Sequence, residues 1–99
     1  MPTERFSVRG APKTIARKAL AIMKRAKIPQ YKLQECSVTQ RGDSYVASAR
    51  WDDDGIIFLS SAELRVEAKK PYSGKGSDVE ICSDGDPCTR LAERLRRGL

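Results

Sequence analysis

Across residues 62–69, apolar and charged side chains alternate without a break. Ala62, Leu64, Val66 and Ala68 fall on one side of an extended chain, and Glu63, Arg65, Glu67 and Lys69 fall on the other. A period of two belongs to a strand with one buried and one wet face, the habit of antiparallel sheets. Such a sheet needs apolar cover on one side only. The wet face carries both signs of charge, which reads as a solvated surface and not a binding surface.

The cover comes from two segments with helical periodicity. In residues 12–27, Ile15, Ala19, Ile22, Met23 and Ala26 share one arc at 100° per residue, with Pro12 suited to the first turn and Pro29 to the stop. Lys13, Arg17, Lys24 and Lys27 lie opposite that arc, and Lys18 and Arg25 flank it. Near the other end, Asp86-Pro87 supplies an N-cap and a first-position proline for a second helix running to Arg97 and stopped by Gly98. Arg90, Arg94 and Arg97 recur there at helical spacing beside Leu91 and Leu95, so one face is strongly cationic.

The remaining segments read as strands and turns. Arg5-Phe6-Ser7-Val8-Arg9 alternates as a short edge strand before Gly10-Ala11-Pro12 breaks the extension. Residues 31–40 and 44–51 flank Arg41-Gly42-Asp43, which suits a tight hairpin. Tyr45, Ala47, Ala49 and Trp51 share a face of its second strand. The first strand loses phase between Leu33 and Cys36, where a β-bulge restores register. Asp52-Asp53-Asp54-Gly55 reads as a turn into Ile56-Ile57-Phe58-Leu59, residues 71–77 as an exposed loop, and Val79 and Ile81 as a short strand. The expectation is an α+β fold: an antiparallel sheet of four to five strands packed by two amphipathic helices, one near each end of the chain. Ninety-nine residues suit one small basic domain, 1–99, burying roughly two-thirds of its unfolded surface.

The chain has no histidine. The commonest general base, the usual serine and cysteine triads and the most frequent zinc ligand are therefore missing. The aspartate turn fails as a calcium loop, because Arg50 and Ser61 occupy its first and twelfth ligand positions. Gly74-Lys75-Gly76-Ser77 fails as a phosphate loop, because Lys69 stands where its first glycine belongs and Gly76 where its hydroxyl belongs. Cys88 and Arg94 have the Cys-x5-Arg spacing of phosphatase loops, but the glycine-free stretch between them reads as helix. Cys88, in a helix's first turn beside Arg90, has the setting of an activated thiol, yet it reads more simply as a packing residue. Cys82 and Cys88 are near enough in sequence to pair, though a reducing compartment opposes it. No enzyme activity, metal or cofactor is expected.

An odd count of three cysteines and no apolar stretch after Met1 point to the cytoplasm, and no apolar run approaches a membrane span. Membrane partners are not expected. The net charge of +6 favours a polyanion or an acidic protein surface. The expected function is a non-enzymatic binding module contacting nucleic-acid phosphates, or a nucleoprotein complex, through basic helix faces. Arg17, Lys24, Arg90, Arg94 and Arg97 are the main contacts, with Lys75 as a loop contact. Only six aromatics are present, and Tyr45 and Trp51 read as core rather than as a base-stacking platform. The alternative is a small inhibitor or adaptor of the phage or mobile-element type, docking the same cations on an acidic host protein.

The element order helix, three antiparallel strands, helix, with Ile28-Pro29-Gln30-Tyr31 at the entry to the first strand, loosely resembles that of double-stranded-RNA-binding domains. The lysine cluster that opens their second helix has no counterpart at residues 84–89, and extra strand-like segments intervene. No family membership follows.

Overall fold

A computed structural model describes residues 3–28, 31–53, 61–71 and 76–99. The elements run β1 (Thr3–Val8), α1 (Pro12–Arg25), β2 (Tyr31–Arg41), β3 (Ser44–Asp53), β4 (Ser61–Lys69), β5 (Ser77–Asp84) and α2 (Asp86–Gly98). The five strands form one antiparallel sheet in the order β1-β5-β4-β3-β2. Helix α1 carries the chain from one edge to the other, and the meander β2 to β5 returns it to pair with β1. The fold is α+β, with a helix near each end of the chain.

Register follows the apolar pattern. Ala62, Leu64, Val66 and Ala68 are all buried and oppose Trp51, Ala49, Ala47 and Tyr45 across β3. A one-residue slip would put that whole set into water, so the pattern holds the pairing. Strand β2 regains its phase by a bulge: Leu33 opposes Trp51, Glu35 opposes Arg50, and Gln34 is the extra residue. The hairpin turns through Gly42 at φ 56°, a left-handed conformation that glycine adopts without strain.

Both helices pack on the same sheet face. Helix α1 lies over β3, flanked by β2 and β4, while α2 lies over β4 and β5. Ile15, Ala16, Ala19 and Met23 of α1 and Cys88, Leu91, Ala92 and Leu95 of α2 join the strand residues in one core cluster. Ala16 and Ala19 of α1 share the buried core with Ala47, Ala49 and Ala68 of the sheet, small side chains that permit close helix–sheet packing. Trp51 and Met23 supply volume. The helices also approach each other, since a Cβ built on Gly98 would lie 3.0 Å from Cδ1 of Ile22.

Several boundaries differ from those expected from the sequence. Strand β3 runs through Asp53, because Asp52 is held in register by Lys32 on one side and Ser61 on the other; Asp52 and Asp53 are therefore strand and not turn, and the rest of the predicted turn at 52–55 lies outside the described residues. Strand β5 spans eight residues and is internal to the sheet, not a short segment, with Ser77 and Ser83 buried among its apolar positions. Two serines in the buried phase hid its length. The cap of α2 is Gly85, at φ 96°, and not Asp86, because the chain must turn from β5 into the helix beside Ala62. Gly98 closes the helix from within, and Leu99 N–H bonds the Leu95 carbonyl at 2.9 Å. Helix α1 stops at Arg25, ahead of Pro29, as Ala26 turns extended and Ile28 folds down onto the core. The apolar stretch at 56–59 and most of the loop expected at 71–77 lie outside the described residues.

Candidate nucleic-acid interface

The helical layer is cationic because each helix spends its apolar arc on the sheet. In α1 the buried positions are Ile15, Ala16, Ala19 and Met23, leaving Lys13, Arg17, Lys18, Lys24 and Arg25 exposed. In α2 the buried positions are Cys88, Leu91, Ala92 and Leu95, leaving Arg90, Arg94, Arg96 and Arg97 exposed. Arg90, Arg94 and Arg97 follow one ridge over about 10 Å of helix axis. The fold thus places Arg17, Lys24, Arg90, Arg94 and Arg97 on one side of the sheet. Lys75 lies outside the described residues.

Charge is partitioned between layers. The two helices hold nine of the nineteen lysines and arginines and two of the thirteen aspartates and glutamates. Ten cations and eleven carboxylates remain elsewhere, so the helices carry +7 and the rest of the chain −1, which together make the net +6. The open sheet face carries charges of both signs, and some of them pair directly. Arg5 Nε lies 3.3 Å from Glu80 Oε2, Arg50 Nε lies 3.8 Å from Asp52 Oδ1, and the Ser7 hydroxyl donates to Asp78 at 3.1 Å.

Arg96 is the basic residue the sequence reading passed over. It reaches down to the edge strand, its guanidinium 5.9 Å from the centroid of Phe6 and its Nη1 4.0 Å from Glu4 Oε1. Its neighbours both come from β1, at the other end of the chain, and helical spacing alone cannot find them.

The aromatic residues of the described sheet face the helices. Trp51 is buried to 1% exposure, and Tyr31, Tyr45 and Phe6 pack partly against the core. Among the described residues the open face therefore carries no ring on which a base would stack.

Cys88 lies in the first turn of α2, its N–H bonded to the Gly85 carbonyl at 3.1 Å, and its side chain is fully buried. Burial, and then the charges of Asp84 and Glu63, push its thiol from 9.0 up to about 11. Desolvation outweighs the helix terminus here. Cys82 has its sulfur on the open face, 3.8 Å from the Thr3 hydroxyl, so the sheet separates it from Cys88 and the two cannot pair. Among the described residues no cluster of ligating side chains has the makings of a metal site, and no helix is long and apolar enough to cross a membrane. Comparison with known proteins yields no match: no family model, curated protein or solved structure matches the chain.

Proposed function

We propose that this protein is a non-enzymatic nucleic-acid-binding module that grips the phosphate backbone with its helical layer. The observation that carries the reading is the partition of charge: the entire excess lies on two adjacent helices, while the opposite face is self-neutralised. Guanidiniums along the ridge of Arg90, Arg94 and Arg97, and the cations Arg17 and Lys24 across the layer, suit a row of phosphates. Each such contact releases a condensed counterion, which gives affinity without sequence preference. The inward turn of the sheet aromatics argues for backbone contact over base stacking.

The test is a fluorescence-anisotropy titration of labelled duplexes of unrelated sequence with the wild-type chain and with the Arg90→Ala, Arg94→Ala, Arg97→Ala triple variant. The expected result is a loss of roughly tenfold or more in affinity that is similar for every duplex. Equal binding by wild type and variant would refute the assignment. An absence of binding at low salt would instead direct the same cations to an acidic protein surface, with one or two arginines dominating.

A further inference from the structure

We infer that the free edge of β2 pairs with the same edge of a second copy of this chain, in one defined register centred on Val38. Strand β2 is the last of the sheet, and among the described residues no strand pairs with its outer side. Its bulge at Gln34 interrupts the edge, which leaves Glu35 to Arg41 as a regular stretch. Glu35, Ser37, Thr39, Gln40 and Arg41 are exposed, and Cys36 and Val38 are half-buried.

Backbone direction limits the registers available. The two-residue connection makes Arg41 and Ser44 the hydrogen-bonded closing pair of the hairpin. Alternation then sends the N–H and C=O groups of Thr39, Ser37 and Glu35 toward β3 and leaves those of Gln40, Val38 and Cys36 pointing outward. An antiparallel two-fold pairing must set outward residues opposite one another. With Val38 opposite its own copy, Cys36 faces Gln40 and the six outward groups of each copy are satisfied.

The same register brings Glu35 opposite Arg41 twice, and Ser37 opposite Thr39 twice, all on the open sheet face. Shifting the centre to Cys36, Ser37 or Thr39 loses the charge match. These opposed residues form non-hydrogen-bonded pairs, where side chains approach most closely. Neither Glu35 nor Arg41 has an ion-pair partner among the described residues. The other edge is different: β1 is six residues long, Arg5 is engaged by Glu80 and Glu4 by Arg96. The unspent charges thus belong to β2, and they complement their own two-fold image.

Residues opposite one another across an antiparallel pair share a face, so both copies would carry their helices on the same side of a ten-stranded sheet. The two basic layers would then lie side by side. That consequence rests on the nucleic-acid reading, whereas the pairing does not.

The experiment is sedimentation equilibrium of the protein alone, without nucleic acid, on wild type, Glu35→Arg and Arg41→Glu, with circular dichroism to verify folding. Wild type should show a concentration-dependent dimer by roughly 0.1 mM. Each single variant should weaken it on the order of tenfold, because like charges now meet at both symmetric positions. Mixing the two variants should restore association, since each substituted side chain then faces its opposite in charge on the other copy, and so does each native one. A wild-type chain monomeric at about 1 mM would overturn the proposal. So would single variants that dimerise unchanged, or a mixture that stays dissociated.

Discussion

Cys88 shows how one residue's role turns on which of two opposed effects is larger. Its position at a helix start favours the thiolate, and its full burial near Asp84 and Glu63 favours the thiol; burial is the larger cause, and the value moves up to about 11. The folded chain therefore holds this proton more tightly than the unfolded chain. Cys88 contributes stability that is fully present below pH 9 and is lost as pH rises through about 11. The shift corresponds to at most about 2–3 kcal/mol. Urea denaturation followed by Trp51 fluorescence should show stability falling between those pH values, and Cys88→Ala should fall less steeply over the same interval. Parallel pH profiles for the two proteins would contradict this assignment. Cys36 and Cys82 are each partly exposed and should react with a thiol reagent well before Cys88 at neutral pH.

At the scale of elements, α2 separates two uses of arginine. Arg94 points away from the core with no partner among the described residues, whereas Arg96 is applied to Phe6 and Glu4 and ties the helix to β1. Arg96→Ala should cost about 0.5–1 kcal/mol of stability, the range for an exposed cation over a ring. Arg94→Ala should change stability by less than about 0.5 kcal/mol. Both variants lose one positive charge, so paired denaturation curves isolate the contact from the charge, and equal midpoints would remove the structural role of Arg96. The elements themselves were readable where a single period ran uninterrupted. The alternation in β4, the apolar arc of α1 and the phase break at Gln34 are each carried by residues that are close neighbours in sequence. Strand β5 was read too short because buried Ser77 and Ser83 carry no apolar signature; Ser77 is accepted inside because its hydroxyl donates to the Gly10 carbonyl at 2.7 Å, a partner 67 residues away. The Gly85 cap was missed for a similar reason, since its need for glycine comes from Ala62 of another strand.

At the scale of the whole molecule, the cations of each helix were legible from the sequence, but their assembly into one layer was not. Helical spacing finds an outward face for α1 and another for α2; only the sheet order β1-β5-β4-β3-β2 puts α1 over its middle and α2 over β4 and β5 on the same side. That arrangement leaves the opposite face, where Arg5 meets Glu80 and Arg50 meets Asp52, close to neutral. A protein so divided should bind a polyanion through one face, with affinity governed by the phosphates it neutralises. The most direct measurement is the dependence of duplex-DNA affinity on salt concentration for the wild-type chain. Several contacts from the layer predict that log affinity falls linearly with log salt at about 0.9 per phosphate neutralised, giving a slope of roughly −3 or steeper if the three stripe arginines all engage. A slope near zero, or no duplex binding at low salt, would contradict the account.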